Sequence, residues 1–172
     1  MTLTLRAMTQ QEYDERIPAL IREYAKDEIE AGRVSADRAL EWAQRQTAAL
    51  LSEGLATDGM LLYTAEADGA AVGWIWVALP DARSDPGRRK PAWIYMIMIE
   101  PRYRGRGYGR GIIEAVEHEL IIRGVDRLGL NVFGHNTVAL RLYESMGFSM
   151  TSQQMAKTLT EPSTQQPSTQ PG

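Results

Sequence analysis

The stretch Ile97-Met-Ile-Glu-Pro-Arg-Tyr-Arg-Gly-Arg-Gly-Tyr-Gly-Arg-Gly111 decides how the rest of the chain is read. Before it runs Ala92–Ile99, apolar on both faces, which predicts a central buried strand ended by Pro101. After it, Gly107–Arg123 reads as a helix, with Ile112, Ile113, Val116, Leu120 and Ile121 on one side and Gly124 as its stop. Glycines 105, 107, 109 and 111 lie at the junction. They permit positive φ and close approach of a ligand to the backbone. The unpaired N–H groups and dipole of a helix start favour an anion there. Arg102, Arg104, Arg106 and Arg110 add positive charge, with no acid among residues 102–110. The combination suits a pyrophosphate. Two better-known phosphate patterns fail. GxGxxG ends on Arg110 or Ile112 instead of glycine, and no Gly-Lys-Ser/Thr follows for a P-loop. The plainer alternative is a Gly/Arg-rich turn with a solvated basic face.

Outward from this junction the chain alternates strand and helix patterns. Thr2–Arg6 has strand period. Thr9 and Glu12 form a capping box for a helix over Gln10–Ala31, within which Pro18 is a point of kinking or breakage. Ser35 is read as the cap of a second helix, Ala36–Leu51. Met60–Ala67 and Val72–Leu79 are strands joined at Asp68-Gly69, a hairpin signal. A polar loop, Pro80–Pro91, carries Arg83, Arg88, Arg89 and Lys90. Arg127–Phe133 is a further strand, and Asn136 caps a helix reaching Met146. Short strands are expected at Phe148–Thr151 and Gln154–Leu159. From Glu161 the sequence EPSTQQPSTQPG has no large apolar residue, so residues 161–172 are expected to be a disordered tail on a single domain of residues 1–160. The order β-α-α-β-β-β-α-β-α-β-β is that of an α/β sheet domain.

Composition narrows the function. The chain has 172 residues, 44% hydrophobic and 24% charged, near the averages for globular domains. Without cysteine it has no disulfide, no thiolate metal site and no cysteine nucleophile. His118 and His135 are the only histidines, so a catalytic zinc is not expected either. The net charge of −3 argues against a general nucleic-acid binder. No signal segment or membrane-length apolar run occurs, which reads as a soluble cytoplasmic protein with no membrane partner.

Arg104-x-x-Gly107-x-Gly109, after a strand ending Ile-x-Pro, resembles the acyl-CoA pyrophosphate signature of the GNAT N-acetyltransferase superfamily, Q/R-x-x-G-x-G/A. Asn136-Thr-Val-Ala-Leu-Arg-Leu-Tyr143-Glu-Ser-Met-Gly-Phe148 resembles that family's second signature, N-x-x-A-x-x-L-Y-E-x-x-G-F. The two lie one strand–helix–strand unit apart, and the element order matches over roughly residues 2–159. The resemblance implies a mixed, mostly antiparallel sheet with a parallel splayed pair at the cofactor site. It implies acetyl-CoA as cosubstrate, no metal, and an amine acceptor. It places the Ile97, Met98 and Ile99 backbone against the acyl-pantetheine arm. Arg104, Gly105, Arg106, Gly107, Tyr108, Gly109 and Arg110 fall at the pyrophosphate, and Asn136 at the pantetheine. Homodimers are frequent in that family, though no residue here demonstrates one.

Amine acetylation needs a neutral amine, a polarised carbonyl and a protonated leaving thiolate. A phenol suits the last task, and in the family the tyrosine at the position of Tyr143 is often that acid. Tyr143 also lies on an apolar stripe with Ala139, Leu142 and Met146, where a tyrosine commonly packs in a core. No base is assigned. The position where some relatives carry glutamate is Asn131, while Glu100, Glu66 and His135 are candidates. The acceptor wall is expected from the first two helices and the Pro80–Pro91 loop. Glu12, Asp14, Glu15, Glu23, Asp27, Glu28 and Glu30 make the first helix acidic, which would attract a cationic amine. Trp74, Trp76 and Trp93 either line that cleft or fill the core. A catalytically silent CoA-binding sensor of the same fold is the competing reading, and an Arg-loop nucleic-acid binder a weaker one.

Overall fold

The computed structural model describes residues 3–80, 91–155, 157 and 159. Its strands are β1 (Leu3–Ala7), β2 (Met60–Ala67), β3 (Ala70–Ala78), β4 (Ala92–Ile99) and β5 (Leu128–Leu130). Its helices are α1 (Gln10–Glu30), α2 (Ala39–Leu50), α3 (Tyr108–Ile122) and α4 (Thr137–Ser145). The strands lie in chain order, β1-β2-β3-β4-β5. Every neighbouring pair is antiparallel except β4 and β5, which run parallel. The expected mixed sheet with one parallel pair is therefore present.

Alternation along the strands divides the core between two faces. Val72, Ile75 and Val77 of β3 pack with Ile94, Ile112, Val116 and Leu120, against α3. Trp74 and Trp76 point the other way and meet Met8, Ile17, Leu20 and Leu51, against α1. Both indoles are buried and so belong to the core, not to an open cleft. α2 packs on α1 through Ala25, Ala39 and Ala43, small residues that let the two helices approach.

Local chemistry sets several boundaries as the sequence predicts. The capping box is complete: the Glu12 amide donates to Thr9 Oγ1 at 3.3 Å, and the Thr9 amide to Glu12 Oε2 at 2.9 Å. At the β2–β3 turn Asp68 and Gly69 take φ of 51° and 77°, the paired left-handed conformation a tight hairpin demands. α1 runs through Pro18 without a break. Pro18 and Asp14 are exposed, so the carbonyl left without its intrahelical donor can bond water.

Three expectations are corrected. α2 begins at Ala39, after an isolated turn in which the Arg38 amide bonds Ser35 O at 3.0 Å, and not at the Ser35 cap. Ala39 is the first buried residue of that segment, and packing is what sustains a short helix. β5 is shorter than Arg127–Phe133, because only Ala92–Ile94 of β4 pair with it. Neither expected terminal strand appears among the described residues of Phe148–Thr151 and Gln154–Leu159. Met150 and Met155 there are exposed, and alternation without a buried face does not fix a register. The Pro80–Pro91 loop, residues 81–90, and the 161–172 tail lie outside the described residues.

One carboxylate ties the layers together. Glu12 accepts from Arg6 at 2.7 and 2.9 Å, from Arg16 at 3.2 Å and from the buried Thr64 hydroxyl at 3.0 Å. Arg6 in turn donates to Glu66 at 2.8 Å. Chiefly through Arg6, the Glu12 carboxyl is held far below the usual carboxylate range. The charged form is thus favoured in the folded state, so its contribution is present above the unfolded value of about 4.3 and is lost as pH falls from there towards the native value. Glu12→Gln should cost about 2 kcal/mol near neutrality, and the gap from wild type should close as pH falls below about 4, read by chemical denaturation across pH. Gly73→Ala should be harsher, since an added Cβ would overlap the Met98 carbonyl oxygen across the β3–β4 pairing. A loss above about 3 kcal/mol is expected from thermal unfolding.

Candidate active site

The site is built where β4 outruns β5. Ala92, Trp93 and Ile94 pair with Leu128, Gly129 and Leu130. β4 then continues through Ile99 beside β3 alone. Two details shape this parting. Gly129 lies under the Trp93 ring, where an added Cβ would be 2.7 Å from the indole. One residue later the register slips: Trp76 pairs with Met96 and Val77 with Ile94, leaving Tyr95 as the extra residue of a bulge. Its ring stacks on Trp76, with centroids 4.7 Å apart, and is 40% exposed. The Ile97, Met98 and Ile99 backbone therefore borders the opening between the strands, where sequence reasoning put the acyl arm.

Beyond β4 a 3-10 turn, Pro101–Tyr103, feeds the glycine-rich loop. Arg104 turns back and donates from Nε to Ile99 O at 3.1 Å, closing the loop on the strand end. Gly105 and Gly107 have φ of 73° and 84°, which side chains with a Cβ rarely adopt. Gly107 is the N-cap of α3, and the first intrahelical bond runs from the Gly111 amide to Gly107 O at 3.2 Å. The amides of Tyr108, Gly109 and Arg110 precede it and have no intrahelical acceptor. The space above Gly105 and Gly107 is open, with nothing within 4 Å of an added Cβ. Arg102 and Arg106 lie 4.8 and 5.9 Å from the Tyr103 ring centroid, so the cationic rim is braced on one aromatic. Helix-start amides without an intrahelical acceptor, positive charge and room above the glycines fit a diphosphate.

α4 supplies the other side. Asn136 caps it, Oδ1 accepting from the Ala139 amide at 3.2 Å. Tyr143 is buried, tilted against Phe148 at 5.6 Å between ring centroids. Burial raises its phenol above the ordinary tyrosine value, so it is a proton carrier at neutral pH. Tyr143 lines an open cleft of about 1350 Å³ with Trp93, Asn131, Phe133 and His135, and residues 97–99, 104–110 and 136 lie outside its lining.

The candidate bases separate. Glu66 pairs with Arg6 and sits on β2, away from the strand opening. Asn131 and His135 lie on the cleft with Tyr143. Glu100 follows β4, its amide held by Val72 O at 2.9 Å. The acidic first helix divides too. Glu12 is consumed at its N-terminal end, and the buried Glu28 accepts from Arg33 Nε and Nη2 at 2.9 and 2.6 Å. Arg33 in turn lies 5.0 Å from the Phe133 ring centroid, tying the end of α1 to the β5–α4 connection. Asp27 and Glu30 gather near His135, and burial raises the Asp27 carboxyl. Sequence reasoning missed Arg33, Tyr95 and Ser145. The first two depend on long-range packing and register, which leave no local pattern.

The comparisons with known proteins agree with this geometry. Residues 17–148 match the model of the Acetyltransferase (GNAT) family. YdgE of Bacillus subtilis, an N-acetyltransferase by name, is 28% identical over 161 residues, 92% of this chain and 99% of its own. The crystal structure of YycN, from the same organism, superimposes with a TM-score of 0.85 at 28% identity, covering 93% of this chain and 100% of that one. The ribosomal protein bS18-alanine N-acetyltransferase of Escherichia coli is 41% identical over 58 residues, 34% of this chain and 39% of its own. With the family model matched over residues 17–148, most of its length, this chain belongs to the GNAT family of acetyltransferases.

Proposed function

We propose that residues 1–160 form one catalytic domain that moves an acetyl group from acetyl-CoA directly to a primary amine, on a small molecule or a peptide. The observation that carries the reading is the opening between β4 and β5, with a glycine-rich helix start beyond β4 that is joined through Arg110 and Ser145 to α4, the helix of the buried Tyr143. In this reading Arg104, Gly105, Arg106, Gly107, Tyr108, Gly109 and Arg110 hold the pyrophosphate. The edge of Ile97, Met98 and Ile99 aligns the pantetheine, and the Asn136 side-chain nitrogen completes its contacts. Acetyl-CoA supplies the activated acetyl thioester. Tyr143 keeps its proton because burial disfavours the phenolate, and gives it to the thiolate as the carbon–sulfur bond breaks. The attacking amine gains the acetyl group and releases its own proton to water. With no cysteine in the chain, the acetyl group has no thiol on which to rest.

An acceptor that arrives as a cation suits the charge left over on α1. Glu23 and Asp27 stay available there after Glu12 and Glu28 are paired with arginines and Glu30 with Lys26. The bS18-alanine relative acts on a protein amine, which supports a peptide acceptor. The bulged Tyr95 ring offers that acceptor an exposed aromatic face.

Free-thiol release from acetyl-CoA, followed over a panel of diamines, amino sugars and N-terminal peptides, tests the assignment. Release that depends on one acceptor class supports transfer. Tight CoA binding with no release from any amine would favour a silent CoA-binding module. Tyr143→Phe should lower kcat roughly 10²- to 10⁴-fold while acetyl-CoA affinity, measured by calorimetry, stays within about threefold. The wild-type kcat–pH profile should show its falling limb only above about pH 10, since burial moves the phenol upward, and Tyr143→Phe should abolish that limb.

A further inference from the structure

Arg110 is the third residue of α3, and its Nη2 donates to Ser145 Oγ at 2.6 Å. Ser145 sits in the last turn of α4, and its hydroxyl donates onward to Leu142 O at 2.7 Å. The same two segments touch a second time: an added Cβ on Gly109 would be 3.1 Å from Leu142 Cδ2. Leu142 immediately precedes Tyr143. Thus the turn whose amides form the anion seat is fastened at two points to the turn that presents the phenol. We infer that Arg110 and Ser145 form a relay through which an occupied phosphate seat fixes α4, making Ser145 a positioning residue for Tyr143.

The chemistry of the two side chains supports this. A guanidinium has five donors in a planar fork, so Arg110 can serve Ser145 through one nitrogen and a phosphate through another. A phosphate oxygen would orient the fork, and the fork would hold the hydroxyl. Ser145 is also suited to the junction, because a hydroxyl accepts and donates at once. Ser145 is exposed, as is most of the helix surface around it. α4 is only nine residues long, short enough that its own hydrogen bonds leave it marginal without tertiary support. A contact at its final turn is therefore well placed to decide how firmly Tyr143 is held.

The inference rests on the proposed acetyl-CoA site, and one readout is independent of turnover. Amide hydrogen exchange is measured over residues 138–146 with and without CoA. In the wild-type protein CoA should slow exchange in this segment by at least about fivefold. Ser145→Ala should bind CoA within threefold of wild type yet lose that protection, while Ser145→Thr, which restores the hydroxyl, should regain it. In the thiol-release assay Ser145→Ala should lower kcat about tenfold with the acetyl-CoA KM unchanged. Arg110→Ala and the double variant complete a cycle, and their kcat losses should be less than additive. CoA binding without protection of α4, or additive losses in the cycle, would overturn the relay and leave the acetyltransferase assignment intact. Failure of the wild-type protein to bind CoA would overturn both.

Discussion

Everything at the site follows from a sheet that stops pairing partway along one strand. A parallel ladder holds β4 to β5 for three residues and then ends. The bulge at Tyr95 adds twist at that point, and Gly129 lets the Trp93 ring lie flat over β5 just before it. The freed edge of β4 has no ladder partner on this side, and Arg104 takes one of its carbonyls, that of Ile99. A ligand rich in amides can pair with such an edge as a strand would. On the other side β4 keeps β3 as its neighbour, so close at Gly73 that an added Cβ would overlap the Met98 carbonyl oxygen.

The two ends of the opening are governed by different physics. At the glycine-rich end, backbone geometry dominates: Gly105 and Gly107 take left-handed φ just ahead of the α3 amides, and Arg104 and Arg110 are each held by a hydrogen bond beside them. At the phenol end, desolvation dominates. Tyr143 is held neutral by its surroundings, Phe148 among them. The acidic helix across from them is less acidic in effect than its composition implies, since its two best-buried carboxylates are committed to arginines.

Much of this was legible in the sequence because it is written locally. The capping box at Thr9 and Glu12, the Asp68-Gly69 turn and the glycine run at 105–111 each depend on a few adjacent residues. The placement of Asn136 at the head of α4 is of the same kind. What could not be read is what depends on a partner elsewhere. Tyr95 looks like any strand residue until its register against Trp76 is known. Arg33 looks like a solvated cation until Phe133 is found beneath it. The alternation at 154–159 has strand period, but Met155 faces solvent and leaves the pattern without a surface to bury. Ser35 has the chemistry of a cap, yet burial at Ala39 chose the helix start.

The lengths of the strands carry a consequence for the protein in a crowded solution. The three inner strands have eight, nine and eight residues, whereas the rims, β1 and β5, have five and three. An exposed strand edge is a template on which another polypeptide can polymerise, and its hold grows with the number of amides it presents. Here the long ladders are sequestered in the middle of the sheet. One rim is short and carries Arg6 in ion pairs with Glu12 and Glu66, and the other is too brief to hold a foreign strand in register. The parting of β4 and β5 leaves the Met96–Ile99 stretch of β4 as the one long strand edge without a ladder partner among the described residues, so the opening that makes room for chemistry is also where a foreign strand would add.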